Sequence, residues 1–128
     1  MPARTPEELH GLFSRHFAAG DLDALVSLYE PDAVLYAQPG VAAHGTAAIR
    51  DALAAFLALR GTFAMTTGRV IHVDGVALVY APWTLVATGQ DGKPVIMAGS
   101  ATDVVRRQPD ATWRFAIDNP FGAEGVGA

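Results

Sequence analysis

The chain has 128 residues, of which 51% are hydrophobic and only 17% charged, with a formal net charge of −4. That length makes one domain with a real core, and the acidic balance gives no electrostatic reason to expect nucleic acid or an anionic membrane as a partner. The lack of cysteine excludes disulfides, thiolate catalysis and Cys-based zinc sites.

No apolar run approaches a membrane span, and the opening MPARTPEELH lacks the apolar centre of a signal peptide, so a cytoplasmic protein is expected. So apolar a composition implies a lined internal cavity or a face hidden by a partner chain.

Thr5-Pro6-Glu7-Glu8 predicts a helix start, with an N-cap threonine, proline at the first position and a glutamate closing the capping box. Leu9, Leu12, Phe13, His16 and Phe17 follow at helical spacing. Gly20 suits the position just past the carboxyl end. Asp21 then caps a second helix with Leu22, Leu25, Val26 and Tyr29 inward, which Pro31 stops.

Ala33 to Gln38 reads as a short strand and Pro39-Gly40 as a turn. Gly45-Thr46 opens a third helix with Ile49, Leu53, Phe56 and Leu57 buried, and Gly61 ends it. From Thr62 the punctuation changes. Asp74-Gly75 is the strongest hairpin signal; Gln90–Lys93 and Gln108–Ala111 mark two further turns. Four strands result, Arg69–Val73, Val76–Thr88, Val95–Arg107 and Thr112–Asn119, an antiparallel meander. Residues 121–128, rich in Gly and Ala, are expected to fray.

Helices first and sheet afterwards read as α+β, with the helices on one sheet face. In the last strand Trp113, Phe115 and Ile117 alternate with Arg114, Ala116 and Asp118, so neither side is simply polar. A homodimer through the outer sheet face would account for this.

AAGDLDALVSLYEPDAV, a turn, HGTAAIR, the long hairpins and a terminal WRFAIDNP together resemble the NTF2-like superfamily, and within it the SnoaL-like and ketosteroid-isomerase-like proteins. The resemblance covers nearly the whole chain. It implies one NTF2-like cone over residues 1–128, three N-terminal helices packed on a curved antiparallel sheet, with an apolar pocket for a small hydrophobic organic molecule. It is specific for fold rather than activity. Carried over residue by residue, the isomerase's oxyanion tyrosine falls on Phe13, its general base on Ala37 or Gln38, and its supporting tyrosine near Leu53. Only its second acid has a counterpart, Asp103. A classical ketosteroid isomerase is therefore not expected.

Asp103 and Asp118 are the candidate catalytic pair. A hairpin centred near Asp110 would set them roughly opposite each other, where each carboxylate raises the other's pKa and apolar surroundings raise it further. The alternatives are a surface ion pair of Asp103 with Arg106, Arg107 or Arg114, and a strand-end turn role for Asp118. Phe13, His16, Tyr36, Gln38, Tyr80, Trp83, Met97 and Asn119 are the candidate ligand-binding residues. Tyr80 and Trp83 have opposite strand parity unless Pro82 marks a bulge.

The four histidines show no HxH or HExxH spacing, so no metal is expected, and no other cofactor is implied. Ser100 lacks a nucleophile elbow. Two functions stay open: cofactor-free acid–base catalysis of the isomerase, cyclase or hydrolase type, and a non-catalytic ligand-binding or oligomerisation module resembling the association domain of calmodulin-dependent kinase.

Overall fold

The computed structural model describes residues 2–123. Its first helix, α1 (Glu8–Ala19), begins two residues later than the capping box suggested. The carbonyls of Thr5 and Pro6 accept from the Glu8 and Leu9 amides in a preceding turn. The Glu8 carboxylate is engaged there by the Arg4 amide and the Thr5 hydroxyl. Gly20 closes α1 in the left-handed region, φ 67°, where it and Asp21 cap the carbonyls of Phe17 and His16.

Asp21 Oδ1 accepts from the Ala24 amide at 3.1 Å and starts α2 (Leu22–Val26). That helix ends well before Pro31, which instead lies inside β1 (Tyr29–Gln38). The strand's register against its neighbour shifts between Tyr29 and Val34. A residue without an N–H is tolerated at such an irregularity.

Pro39-Gly40 turns the chain into β2 (Val41–His44), a short edge strand that the sequence did not announce. Then come α3 (Thr46–Ala58) and the strands β3 (Thr62–Met65), β4 (Arg69–Val73), β5 (Val76–Thr88), β6 (Pro94–Arg107) and β7 (Trp113–Asp118). Arg60, not Gly61, takes the left-handed φ after α3.

The seven strands form one sheet in the order β2-β1-β7-β6-β5-β3, with β4 beside the other half of β5. The last four strands, β4 to β7, form the antiparallel meander expected; β1 joins the sheet parallel to β7, so the sheet as a whole is not purely antiparallel. β5 and β6 pair without interruption from Val76–Arg106 to Thr88–Pro94, and Pro82 makes no bulge.

The helices cover one face of this sheet. Leu9, Leu25, Ile49 and Leu53 meet Leu35, Val79, Val105 and Phe115 there, all essentially inaccessible to water. Each such side chain contributes about 1.5–3 kcal/mol on burial. Along β5, Ala77, Val79, Ala81, Trp83, Leu85 and Ala87 point inward, and the residues between them face out. Among the described residues no helix is long and apolar enough to cross a membrane.

β7 departs from simple alternation. Val105 pairs with Phe115 but Val104 pairs with Ile117, so the strand holds one extra residue, Ala116. Both Phe115 and Ala116 are buried, and the parity beyond them is reversed. Ile117 turns outward at 42% exposure and Asp118 turns inward at 7%.

After β7 a turn over residues 119–122 lies against β6. The Thr102 amide donates to the Asn119 carbonyl at 2.9 Å, and Trp83 Nε1 to the Pro120 carbonyl at 2.7 Å. Of the tail expected to fray, residues 121–123 belong to or follow this turn, and 124–128 lie outside the described residues. Gly99 makes the turn possible, since a Cβ there would sit 2.6 Å from the Pro120 carbonyl oxygen and 2.9 Å from Trp83 Nε1. Gly99→Ala is therefore expected to cost about 1–3 kcal/mol in urea denaturation and to shift the fluorescence of Trp83, read in a Trp113→Phe background. Unchanged stability and emission would contradict this packing.

Candidate active site

α1 presents His10, Phe13 and Phe17 towards the inner sheet face, at positions i, i+3 and i+7 of one stripe. β1 adds Tyr29 and Leu35, α3 adds Leu53 and Phe56, β3 adds Phe63 and Met65, and β5 adds Trp83 and Leu85. Together with Phe115, Asp118 and Pro120 they line a narrow cavity of about 40 Å³. Phe63 is the hub of its aromatic wall, with ring centroids 5.4 Å from Phe13, 5.3 Å from Phe17 and 6.0 Å from Trp83. Among the described residues no lysine or arginine lines it.

The polar groups gather at one end. The bulge at Ala116 carries Asp118 across the strand pair from Asp103, within hydrogen-bonding reach of its carboxyl. Asp103 is fully buried behind the cavity wall; its Oδ2 lies 2.6 Å from His10 Nε2, and its Oδ1 accepts from the Asn119 amide at 2.7 Å. Asp118 accepts a hydrogen bond from the Tyr29 hydroxyl. Phe115 packs between the two pairs, 5.6 Å from the His10 ring and 5.1 Å from the Tyr29 ring.

Burial dominates the proton affinities. It pushes Asp103 up to about 7, against the opposing hydrogen bonds from Asp118 and the Asn119 amide. It holds Asp118 well above the carboxylate range, and the neighbouring charge of Asp103 adds to the effect. It lowers His10, which the charge of Asp118 only partly offsets. Tyr29 is raised by burial and then by Asp118. The His10–Asp103 contact is therefore a neutral imidazole on an acid that titrates near neutrality, not a permanent ion pair. With Asp103 ionised, Nε2–H donates to it and Nδ1 carries a lone pair; with Asp103 protonated the carboxyl donates and Nδ1 carries the hydrogen.

The structure places the expected residues unevenly. Asp103 and Asp118 are brought together; Asp103 makes no surface ion pair, since Arg106 binds Glu30 at 3.0 Å instead. Phe13 and Trp83 line the cavity. Met97 is half-buried against the core, outside the cavity lining. Asn119 reaches the site through its backbone, while its side-chain amide donates to the Gly122 carbonyl at 2.8 Å.

His16 is displaced from the expected pocket. It lines a separate surface hollow with Ser27, Trp113 and Arg114, because its helical angle turns it away from Phe13 and Phe17. Tyr36 and Tyr80 alternate with the inward Leu35, Val79 and Ala81, so strand parity puts them on the outer face. Gln38 is exposed at the end of β1. His10 and Tyr29 were missed as polar site residues. The spacing of His10 from Phe13 and Phe17 was a usable signal; Tyr29 was masked by its place in the α2 pattern.

The match to known proteins agrees with this architecture. The SnoaL-like domain model matches residues 10–115, and the chain belongs to that family. Among solved structures it resembles a Thiobacillus denitrificans protein named for the calcium/calmodulin-dependent protein kinase type II association domain (TM-score 0.75, 20% identity, 92% of this chain and 94% of that one). It also resembles a Streptomyces avermitilis protein named as a dehydratase of the NTF2-like family (0.70, 20%, 86% and 88%). A ketosteroid isomerase-like protein from Erwinia carotovora atroseptica is also similar (0.68, 21%, 89% and 95%). At these identities the shared property is the NTF2-like cone. No curated protein matches the chain.

The buried acids make a signed prediction about stability. Asp103 keeps its proton in the folded chain from its ordinary 3.8 up to about 7, so raising pH across that window destabilises the fold. Asp118 acts in the same direction and His10 in the opposite one, its lowered pKa favouring the fold as pH rises. Asp103→Asn should fall less steeply in denaturation midpoint between pH 4 and pH 7 than the wild type does. Parallel curves for the two proteins would refute the assignment.

Proposed function

We propose that this chain is a cofactor-independent acid–base enzyme acting on a small, uncharged, largely apolar molecule. One observation carries the reading: four proton-carrying side chains, from α1, β1, β6 and β7, converge at the end of an otherwise apolar cavity. In that setting His10, oriented by Asp103, is the base, and Asp118, hydrogen-bonded by Tyr29, is the acid. The apolar wall strengthens each polar contact within it. The absence of any cation in the wall disfavours a carboxylate or phosphate ligand.

Base and acid are required in opposite protonation states. Activity should rise as Asp103 ionises near pH 7 and fall at higher pH, where Asp118 loses its proton. The test is a panel of neutral aromatic ketones, epoxides and esters. His10→Gln and Asp118→Asn are each expected to lose about a hundredfold or more in turnover while keeping the wild-type circular dichroism. Folded variants that retain full turnover would remove these residues from the chemistry. Binding of panel members without turnover in the wild type would favour a ligand-binding module instead.

A second observation supports an association role for the other sheet face. Outward residues of β5 and β6, from Leu78 to Val86 and from Ile96 to Val104, include no charged side chain. Val86, Ile96, Ile71 and Val73 are 44%, 67%, 53% and 67% exposed. We propose that a second copy of the chain covers this face, sheet against sheet. Sedimentation should show a dimer that Ile96→Lys together with Val86→Glu converts to monomer. A wild-type monomer at micromolar concentration would contradict it.

A further inference from the structure

Two buried polar atoms on α1 have no hydrogen-bond partner among the described residues: His10 Nδ1 and Ser14 Oγ. His10 is only 3% exposed, lines the cavity, and has its other ring nitrogen committed to Asp103. Ser14 lies one helical turn further on, at i+4. Side chains at that spacing share a helix face, with Cβ atoms about 5–6 Å apart. The usual use of a mid-helix serine is to bond the carbonyl four residues back, here that of His10, and Ser14 does not do so. Left unpaired, both atoms would forfeit the hydrogen bonds they make to water in the unfolded chain.

One small hydroxylic molecule bonded to both atoms would satisfy them together. We propose that His10 Nδ1 and Ser14 Oγ form a seat for a single water molecule beside the apolar cavity, where the His10–Asp103 pair deprotonates it. The reaction class is then one that consumes water, a hydration or hydrolysis. This deepens the acid–base reading above and rests on it for the chemical step.

That step balances. The water proton passes to Nδ1, whose ring already donates Nε2–H to the Asp103 carboxylate, and the hydroxide oxygen forms a bond to an electrophilic carbon of the substrate. The electron pair displaced from that carbon moves onto a substrate oxygen, which takes the Asp118 proton. Afterwards the proton on Nδ1 returns to Asp118 through solvent or product. Ser14 is a positioning residue in this scheme, holding the water and not the substrate.

The seat can be tested without a substrate. A crystal structure of the full chain should show one ordered water bonded to both His10 Nδ1 and Ser14 Oγ. Magnetisation transfer from water to the His10 ring protons should be strong in the wild type, weak in Ser14→Ala and restored in Ser14→Thr. An ordered Ser14 hydroxyl bonded to the His10 carbonyl, or equal transfer in wild type and Ser14→Ala, would overturn the seat.

The chemical step is read separately. For any panel member the wild type turns over, reaction in ¹⁸O-water should label the newly formed carbon–oxygen bond beyond the buffer control. Product without label would overturn water consumption while leaving acid–base catalysis standing. If the whole panel fails, the crystal and magnetisation results still decide the seat.

Discussion

Two carboxyl groups facing each other across β6 and β7, sealed from water, are the constraint on which the rest of the site depends. An isolated ionised carboxylate is too costly to bury, so such a pair retains protons instead. Everything polar nearby serves that arrangement. The Asn119 amide and His10 stabilise Asp103, and Tyr29 donates to Asp118. The pairing itself is produced by one extra residue. Without the Ala116 bulge, the register from Arg107–Trp113 onward would set Ile117 against Asp103 and turn Asp118 outward.

The same sheet therefore does two things by alternation. Inward Trp83 and Leu85 of β5 form part of the cavity wall; outward residues from Leu78 to Val86 and from Ile96 to Val104 build a charge-free surface. The cavity excludes water around a small polar cluster, which raises the strength of its hydrogen bonds and shifts its proton affinities. Those shifts put an acid that titrates near neutrality next to one that stays protonated, the division that acid–base catalysis requires. The turn over residues 119–122 ties the two regions together. It places Pro120 on the cavity wall and the Asn119 amide on Asp103, and Trp83 fastens it from β5.

Much of this was legible along the chain. Gly20, Asp21 and the Asp74-Gly75 turn act by local chemistry, a left-handed cap, a side-chain cap and a tight hairpin, and such effects depend on neighbours in sequence. Alternation in Val76–Thr88 likewise predicts which side chains are inward. β2 and β3 were not legible, since four-residue strands with mixed exposure carry little periodic signal. Nor was the parallel β1–β7 pairing, which joins segments far apart in the chain.

By itself the sequence determined the α+β order, the turns and the suspicion that Asp103 and Asp118 belong together. Only the tertiary structure decided that they face one another, because a bulge is an event between strands and reverses parity without a mark in composition. It likewise replaced His16 with His10. Both sit on α1, yet a helix advances 100° per residue, and only packing against β3 and β7 selects which histidine meets the buried acid.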